Sequence, residues 1–457
     1  MNLSQRLPPP GEQEFDPQLS QAAMKKRFLI ALTPVLFGFS AVQIRAQESN
    51  PDQLVRPRVV AQNPASPRVN SPVNQKLPEP VNPNVPLPGT AVAATAGAPE
   101  SQKTTSAAPL TFLTPSLIQS RISEARRMLK TRPVTTALSV PSIQFVTIAA
   151  LDRENARTHL ITLSKESFLT KGAQVNAISS LGTNVTVNVL RANGVNTALT
   201  IFTQNGQSLV PLTVEYPIER NGLFREMAYY TSAHPALLSS DLVRSGQSYV
   251  RNMLDLAATR LRNSGVPISP QIVDVAERLC VVEHVDHERF RAENRIALYE
   301  EIYSLFALNE LDTYRFSVSS AGAGGMVQMI PWAYNLERTR HPGVGLIPDF
   351  VTGMRNHANA LQAMLLYMND TWGELTANED VKNALATNLA TPSELLAAGY
   401  NSNAAKLPLY LKRGGDAWRT LIPRETQMYL QIYKSFESLV PMKTRMPVTP
   451  VTVPAAR

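Results

Sequence analysis

A chain of 457 residues, 44% of them apolar, is long enough for two globular domains with tails. Its formal charge of +8 favours polyanionic partners, but no zinc finger, aromatic-studded strand or basic helix points to nucleic acid; the anionic polymers and lipids of a bacterial envelope fit as well, and excess Lys and Arg also serves solubility alone. The lone cysteine, Cys280, excludes an intramolecular disulfide, and in its apolar run it reads as a small buried hydrophobe.

The first expected element is an export signal. Met24-Lys25-Lys26-Arg27 precedes an apolar run from Phe28 to about Val42, and Ile44-Arg45-Ala46 then offers a small residue at a cut before Gln47. Ile44 fits the usual cleavage pattern poorly, and Pro34 interrupts a run short for a membrane span, so a retained anchor is the alternative. Residues 1–47 are therefore assigned to an N-terminal extension with a signal or anchor. Residues 48–110, rich in Pro, Asn, Gln, Ser, Val and Ala without helical or strand period, form a disordered linker unable to offset its conformational entropy.

Residues 111–235 read as a small β domain with a leading helix. Thr114-Pro115 suits a helix start, and Leu117, Ile118, Ile122, Ala125 and Leu129 follow at helical spacing. From Ile143 the period becomes two: Val185, Val187 and Val189 alternate with Thr186, Asn188 and Leu190, as in a half-buried strand. Asn193-Gly194 and Asn205-Gly206 signal hairpin turns, with Ala198–Thr203 and Ser208–Tyr216 as the strands that follow. The expected result is a meander or small sandwich. No His, Cys or carboxylate cluster is read in it, which suits docking or spacing better than chemistry.

From Ser240 the pattern is helical, over 241–264, 270–289, 294–309, 351–370, 380–388 and 425–438. On the 270–289 helix, Ile272, Val275, Ala276, Leu279 and Val282 mark the apolar face, and Glu283 falls on it, four residues after Leu279. Asp274, Glu277, Arg278, His284 and Glu288 are expected on the watery side. A carboxyl turned inward should titrate high, as a general acid for glycosidic oxygen requires; a structural glutamate paired with a core arginine fits the same periodicity.

The stretch Ser319-Ser320-Ala321-Gly322-Ala323-Gly324-Gly325-Met326-Val327-Gln328-Met329-Ile330-Pro331 resembles the glycine-turn signature of the soluble lytic transglycosylases. Leu395–Asn401, ending in Ala398-Gly399-Tyr400-Asn401, resembles that family's tyrosine block, and Pro423-Arg424-Glu425-Thr426 its last-helix block. Together with Val281-Val282-Glu283, these blocks occur in the family's order over roughly residues 265–440. With the β domain read above, the expected fold is an α+β multidomain chain: a small antiparallel β domain, then, as the resemblance implies, a mainly α-helical lysozyme-like domain over 236–440, then a disordered tail over 441–457. It implies Glu283 as the single catalytic acid and base, with Gln328, Tyr400, Asn401, Glu425 and the backbone at Met326 and Val327 lining the substrate cleft. The reaction implied is cleavage of the bond between N-acetylmuramic acid and N-acetylglucosamine to a 1,6-anhydro product, without cofactor or metal. The implied partners are peptidoglycan strands in the periplasm or envelope, and trans-envelope secretion or pilus components through the β domain, with no nucleic acid.

Three features depart from the family. His284 stands where serine follows the glutamate, an extra amphipathic helix carrying Ile296, Tyr299, Ile302, Tyr303 and Phe306 precedes the glycine turn, and Ser402-Asn403-Ala404 replaces glycine-proline after Asn401. They leave two alternatives open: an inactive lysozyme-like scaffold or peptidoglycan-binding component, and a hydrolase of the same fold. His284 and His287 are three apart, unlike the four-residue spacing of zinc-protease helices, so no metal is expected there.

Overall fold

The computed structural model describes residues 112–132, 143–220, 222–311, 313 and 321–446. The expected export signal, the linker over 48–110, Ser319-Ser320 and the tail beyond residue 446 lie outside the described residues. Among the described residues no helix is long and apolar enough to cross a membrane.

Helix α1, Pro115–Thr131, begins as the sequence predicts, with Thr114 accepting from the Leu117 amide and Pro115 in the first turn. Its stripe of Ile118, Ile122, Ala125 and Leu129 is buried against the first and sixth strands of the sheet. That sheet comprises β1 Phe145–Leu151, β2 Thr158–Ser164, β3 Gln174–Ile178, β4 Asn184–Arg191, β5 Ala198–Thr203, β6 Ser208–Arg220 and β7 Leu223–Tyr230, with a short helix α2, Lys165–Phe168, after β2.

All paired strands are antiparallel, in the order β2-β1-β6-β5-β4-β3, with β7 also on β6. The two ends of this path approach each other: the Ser180 amide donates to Leu160 O at 2.8 Å, so the sheet curls until it is nearly closed. The expected meander holds from β3 to β7, but the β1–β2 hairpin returns to β6, and the architecture is one curled sheet rather than a sandwich. Val185, Val187 and Val189 face the core as their alternation predicts. Asn205-Gly206 closes the turn from β5 to β6, whereas Asn193-Gly194 opens a longer connection through a 3-10 turn at Gly194–Asn196. Pro211 sits at the register shift between β1 and β6, where a residue without an N–H is tolerated.

The helical region contains α3 Ser240–Asn263, α4 Pro270–Val282, α5 His287–Ala292, α6 Arg295–Leu308, α7 Pro331–Arg340, α8 Phe350–Arg355, α9 His357–Ala377, α10 Glu379–Ala386, α11 Pro392–Asn401, α12 Leu407–Gly414, α13 Trp418–Leu421 and α14 Arg424–Leu439. Helix α6, the expected insertion, is buried on most sides, with Tyr299, Ile302, Tyr303 and Phe306 inside and Ile296 exposed. It packs on α3 closely enough that a Cβ on Gly246 would lie 1.9 Å from Tyr303 O. The α+β architecture is thus as expected, but sheet and helices share one hydrophobic core rather than standing as separate bodies. Asn309, just past α6, ties them by donating to Thr231 O at 2.7 Å and accepting from the Thr231 amide at 3.0 Å.

Three sequence expectations are corrected. The predicted 270–289 helix breaks: α4 is capped at Glu283, and Asp286 starts α5 by accepting from the Arg289 amide. Likewise, the predicted 351–370 helix divides at Asn356, whose side chain caps α9. More consequentially, Asp274 and Glu277 do not face water. They are buried at 8% and 4% exposure, because Arg445 from the expected tail donates to Asp274 Oδ1 at 2.9 Å and also binds Glu277, while Arg251 reaches Glu277 at 3.2 Å. Desolvation still outweighs the two arginines and holds the Glu277 carboxyl above its usual range. Breaking such a pair from one side leaves buried charge uncompensated. Arg445→Ala is therefore expected to lower unfolding stability by about 3 kcal/mol, the low end of the range because Arg251 remains, and adding Glu277→Gln should recover part of the loss. Urea unfolding of the single and double variants measures this.

Candidate active site

Helix α4 delivers Glu283 to the interior. Ser269 caps its start by accepting from the Ile272 amide, Pro270 occupies the first turn, and the run from Ile272 to Val282 is apolar and buried apart from Arg278 and the two carboxylates held by Arg445. The helix ends at Glu283, 4% exposed. Its Oε1 accepts from the Tyr429 hydroxyl at 2.8 Å. Tyr429 lies on α14 one turn beyond Glu425, and α14 packs directly on α4 and α11.

His284 leads from this carboxylate to the glycine turn. Its Nε2 lies 2.9 Å from Met326 O, and because a carbonyl only accepts, Nε2 carries the proton of this bond. Its ring meets Phe306 of α6 edge-on, with centroids 5.5 Å apart. Two of the departures from the family signature, the histidine and the added helix, are therefore in contact.

The glycine turn is built from backbone that side chains disfavour. Gly325 has φ +72°, and a Cβ there would come within 2.6 Å of Met354 O, so glycine is required both for conformation and for room. Gln328 itself adopts φ +48°, and its amide donates to Gly325 O at 2.7 Å, closing the turn from inside. A bridge between Gly324 and Met329 draws the limbs together. Met326 and Val327 are fully buried.

From the opposite side, α11 brings Tyr400. Its hydroxyl donates to Val327 O at 2.7 Å, and its ring meets Tyr367 edge-on at 5.9 Å. Asn401 follows as the last residue of α11, 3% exposed, with Oδ1 lacking a hydrogen-bond partner among the described residues. Glu283, Met326, Val327 and Tyr400 are thus brought together through His284 and the glycine turn, and Tyr429 joins them. Gln328 is in the turn, where its side-chain amide binds the turn's own backbone. Glu425 is half-buried in the first turn of α14, on the helix that supplies Tyr429.

Sequence alone does not single out Tyr429 or the bridging role of His284. Tyr429 was legible only as the residue four beyond Glu425, hence on the same helical face. The expected absence of a His or carboxylate cluster in the β domain also needs correction: His159 Nδ1 lies 2.9 Å from Ser179 Oγ and its Nε2 3.9 Å from Asp152. This group staples turns. Ser179 Oγ accepts backbone amides of Leu181 and Thr183, and Asp152 accepts from the Glu154 amide and from Asn155 and Gln207.

Comparisons with protein-family models, with curated proteins and with solved structures find no match.

The orientation of Tyr400 depends on how α11 begins. Glu394 closes a capping box with Thr391 and is bound by Arg419 and Lys434, each at 2.7 Å. Burial opposes its ionisation, but these partners prevail and hold its carboxyl down to about 2. A depressed carboxyl stabilises the fold above its unfolded pKa and loses that contribution as pH falls through the folded value. Glu394→Gln is therefore expected to cost about 3 kcal/mol at neutral pH, with the difference from wild type shrinking below pH 4.5 and vanishing near about 2. Denaturant unfolding across that pH range checks this.

Proposed function

We propose that the chain is a lytic transglycosylase of the bacterial envelope, with Glu283 as the acid and base. The observation that carries this is the placement of one buried carboxylate at the end of an apolar helix, held by Tyr429 and linked through His284 to the glycine turn and Tyr400. Glu283 in its protonated form donates to the glycosidic oxygen between N-acetylmuramic acid and N-acetylglucosamine. The muramoyl C6 hydroxyl then attacks the anomeric carbon and returns its proton to Glu283, so that the bond breaks without water and a 1,6-anhydro ring forms. One carboxylate serves both transfers, where most glycosidases use two.

The surrounding groups have definite tasks in this scheme. Tyr429 fixes the carboxylate rotamer. His284 and Tyr400 each hold a carbonyl of the glycine turn, so the backbone that would lie along the sugar is rigid before substrate arrives. Gln328 keeps the turn closed, Glu425 and Asn401 sit on the helices flanking it, and Met326 and Val327 form its apolar wall. The positively charged chain suits an anionic wall, and the β sheet supplies a surface for envelope secretion or pilus components. The low exposure of Glu283 favours a second reading, a scaffold or peptidoglycan-binding component without turnover.

Release of soluble fragments from purified cell wall discriminates the two. Glu283→Gln is expected to lower release roughly 10²–10⁴-fold, as removal of a general acid–base group does, and Tyr429→Phe to lower it less while leaving the fold intact. Equal release by Glu283→Gln would end the assignment of that residue; no release by wild type would favour the scaffold.

A further inference from the structure

Outside this site, α7 and α9 carry a second group of donors. Glu337 lies on the core side of α7 with Ala333 and Tyr334, His341 follows it by four residues at the helix end, and Asp370 faces them from α9. Their geometry points to a binding site for a single divalent transition-metal ion of the zinc class, held by Glu337, His341 and Asp370.

Spacing places Glu337 and His341 on one helical face. His341 Nε2 lies 2.9 Å from Asp370 Oδ2 and 3.7 Å from Glu337 Oε2. One ligand atom from each of the three lies within 4.8 Å of the others. Donors around one ion at metal–ligand distances of about 2.0–2.2 Å stand at most roughly 4.4 Å apart, so small side-chain adjustments complete the set.

Independent of this proximity is the state of Glu337. Its side chain is wholly buried, and neither carboxylate oxygen has a hydrogen-bond partner among the described residues. A carboxylate taken from water without donors is costly. Burial first, then the neighbouring Asp370 charge, push its carboxyl up to about 8. The nearby Arg340 relieves it only in part, because its guanidinium is directed to Glu374 at 3.0 Å and Asp370 at 3.5 Å. His341 and Asp370 are each 18% exposed, so an ion can enter from solvent and keep water in its remaining positions. An imidazole with two carboxylates suits zinc and its first-row neighbours better than calcium or magnesium, which take oxygen ligands and more of them.

The ion would pin the end of α7 to α9, and α7 begins at Pro331, three residues after Gln328. It would thus brace the glycine turn from a distance, and its binding can be measured without any catalytic readout.

The full-length protein, stripped with chelator and dialysed, is titrated calorimetrically with Zn²⁺, Ca²⁺ and Mg²⁺. The expected result is about one Zn²⁺ per chain, with affinity lowered at least about 100-fold in both Glu337→Gln and His341→Ala and unchanged in Glu374→Gln. Asp370→Asn replaces either variant if near-ultraviolet circular dichroism shows that it has not folded. Absence of Zn²⁺ uptake by wild type, uptake that survives substitution of a folded donor variant, or Ca²⁺ or Mg²⁺ bound as tightly as Zn²⁺ would overturn the assignment.

Discussion

A carboxylate at the end of a buried apolar helix must be given a partner, and the hydrogen bond from Tyr429 to Glu283 meets that demand. Everything around it follows. For the hydroxyl to reach Oε1, α14 must lie against α4, and α14 in turn borders α11. Helix α11 then holds Tyr400 over Val327 O. His284, next to the carboxylate, secures Met326 O. Four segments distant in sequence converge here, each supplying one of these bonds.

Two features that set the chain apart from the signature it resembles, His284 and α6, touch each other. A histidine in place of serine is larger and needs room and contact, and the edge of Phe306 on α6 provides both. The inserted helix is therefore no surface decoration. It fills the space between α3 and the carboxylate helix, and through Asn309 it also fastens the β sheet to the helical region.

Much of this was legible in the chain because it depends on short-range periodicity and turn chemistry. The alternation of Val185, Val187 and Val189, the Thr114-Pro115 start of α1 and the inward position of Glu283 all lie within a few residues of their causes. The break after Glu283 was not legible, since Asp286 caps a new helix without disturbing the hydrophobic pattern. Nor was the burial of Asp274 and Glu277: their partner, Arg445, returns from beyond α14. The same reason hides the donor set on α7 and α9. His284 and His287, three apart in the chain, are visible as a pair, whereas His341 meets Asp370 only after the chain has turned back through α8.

The chemistry proposed for Glu283 rests on an internal nucleophile rather than water, and the two leave products that differ by one molecule of water. Mass spectrometry of muropeptides released by the wild-type protein reads that difference directly. Fragments ending in 1,6-anhydromuramic acid, lighter by one water than their hydrolysed counterparts and absent when Glu283→Gln is used, are the predicted result. Fragments carrying reducing ends would contradict it and make the protein a hydrolase.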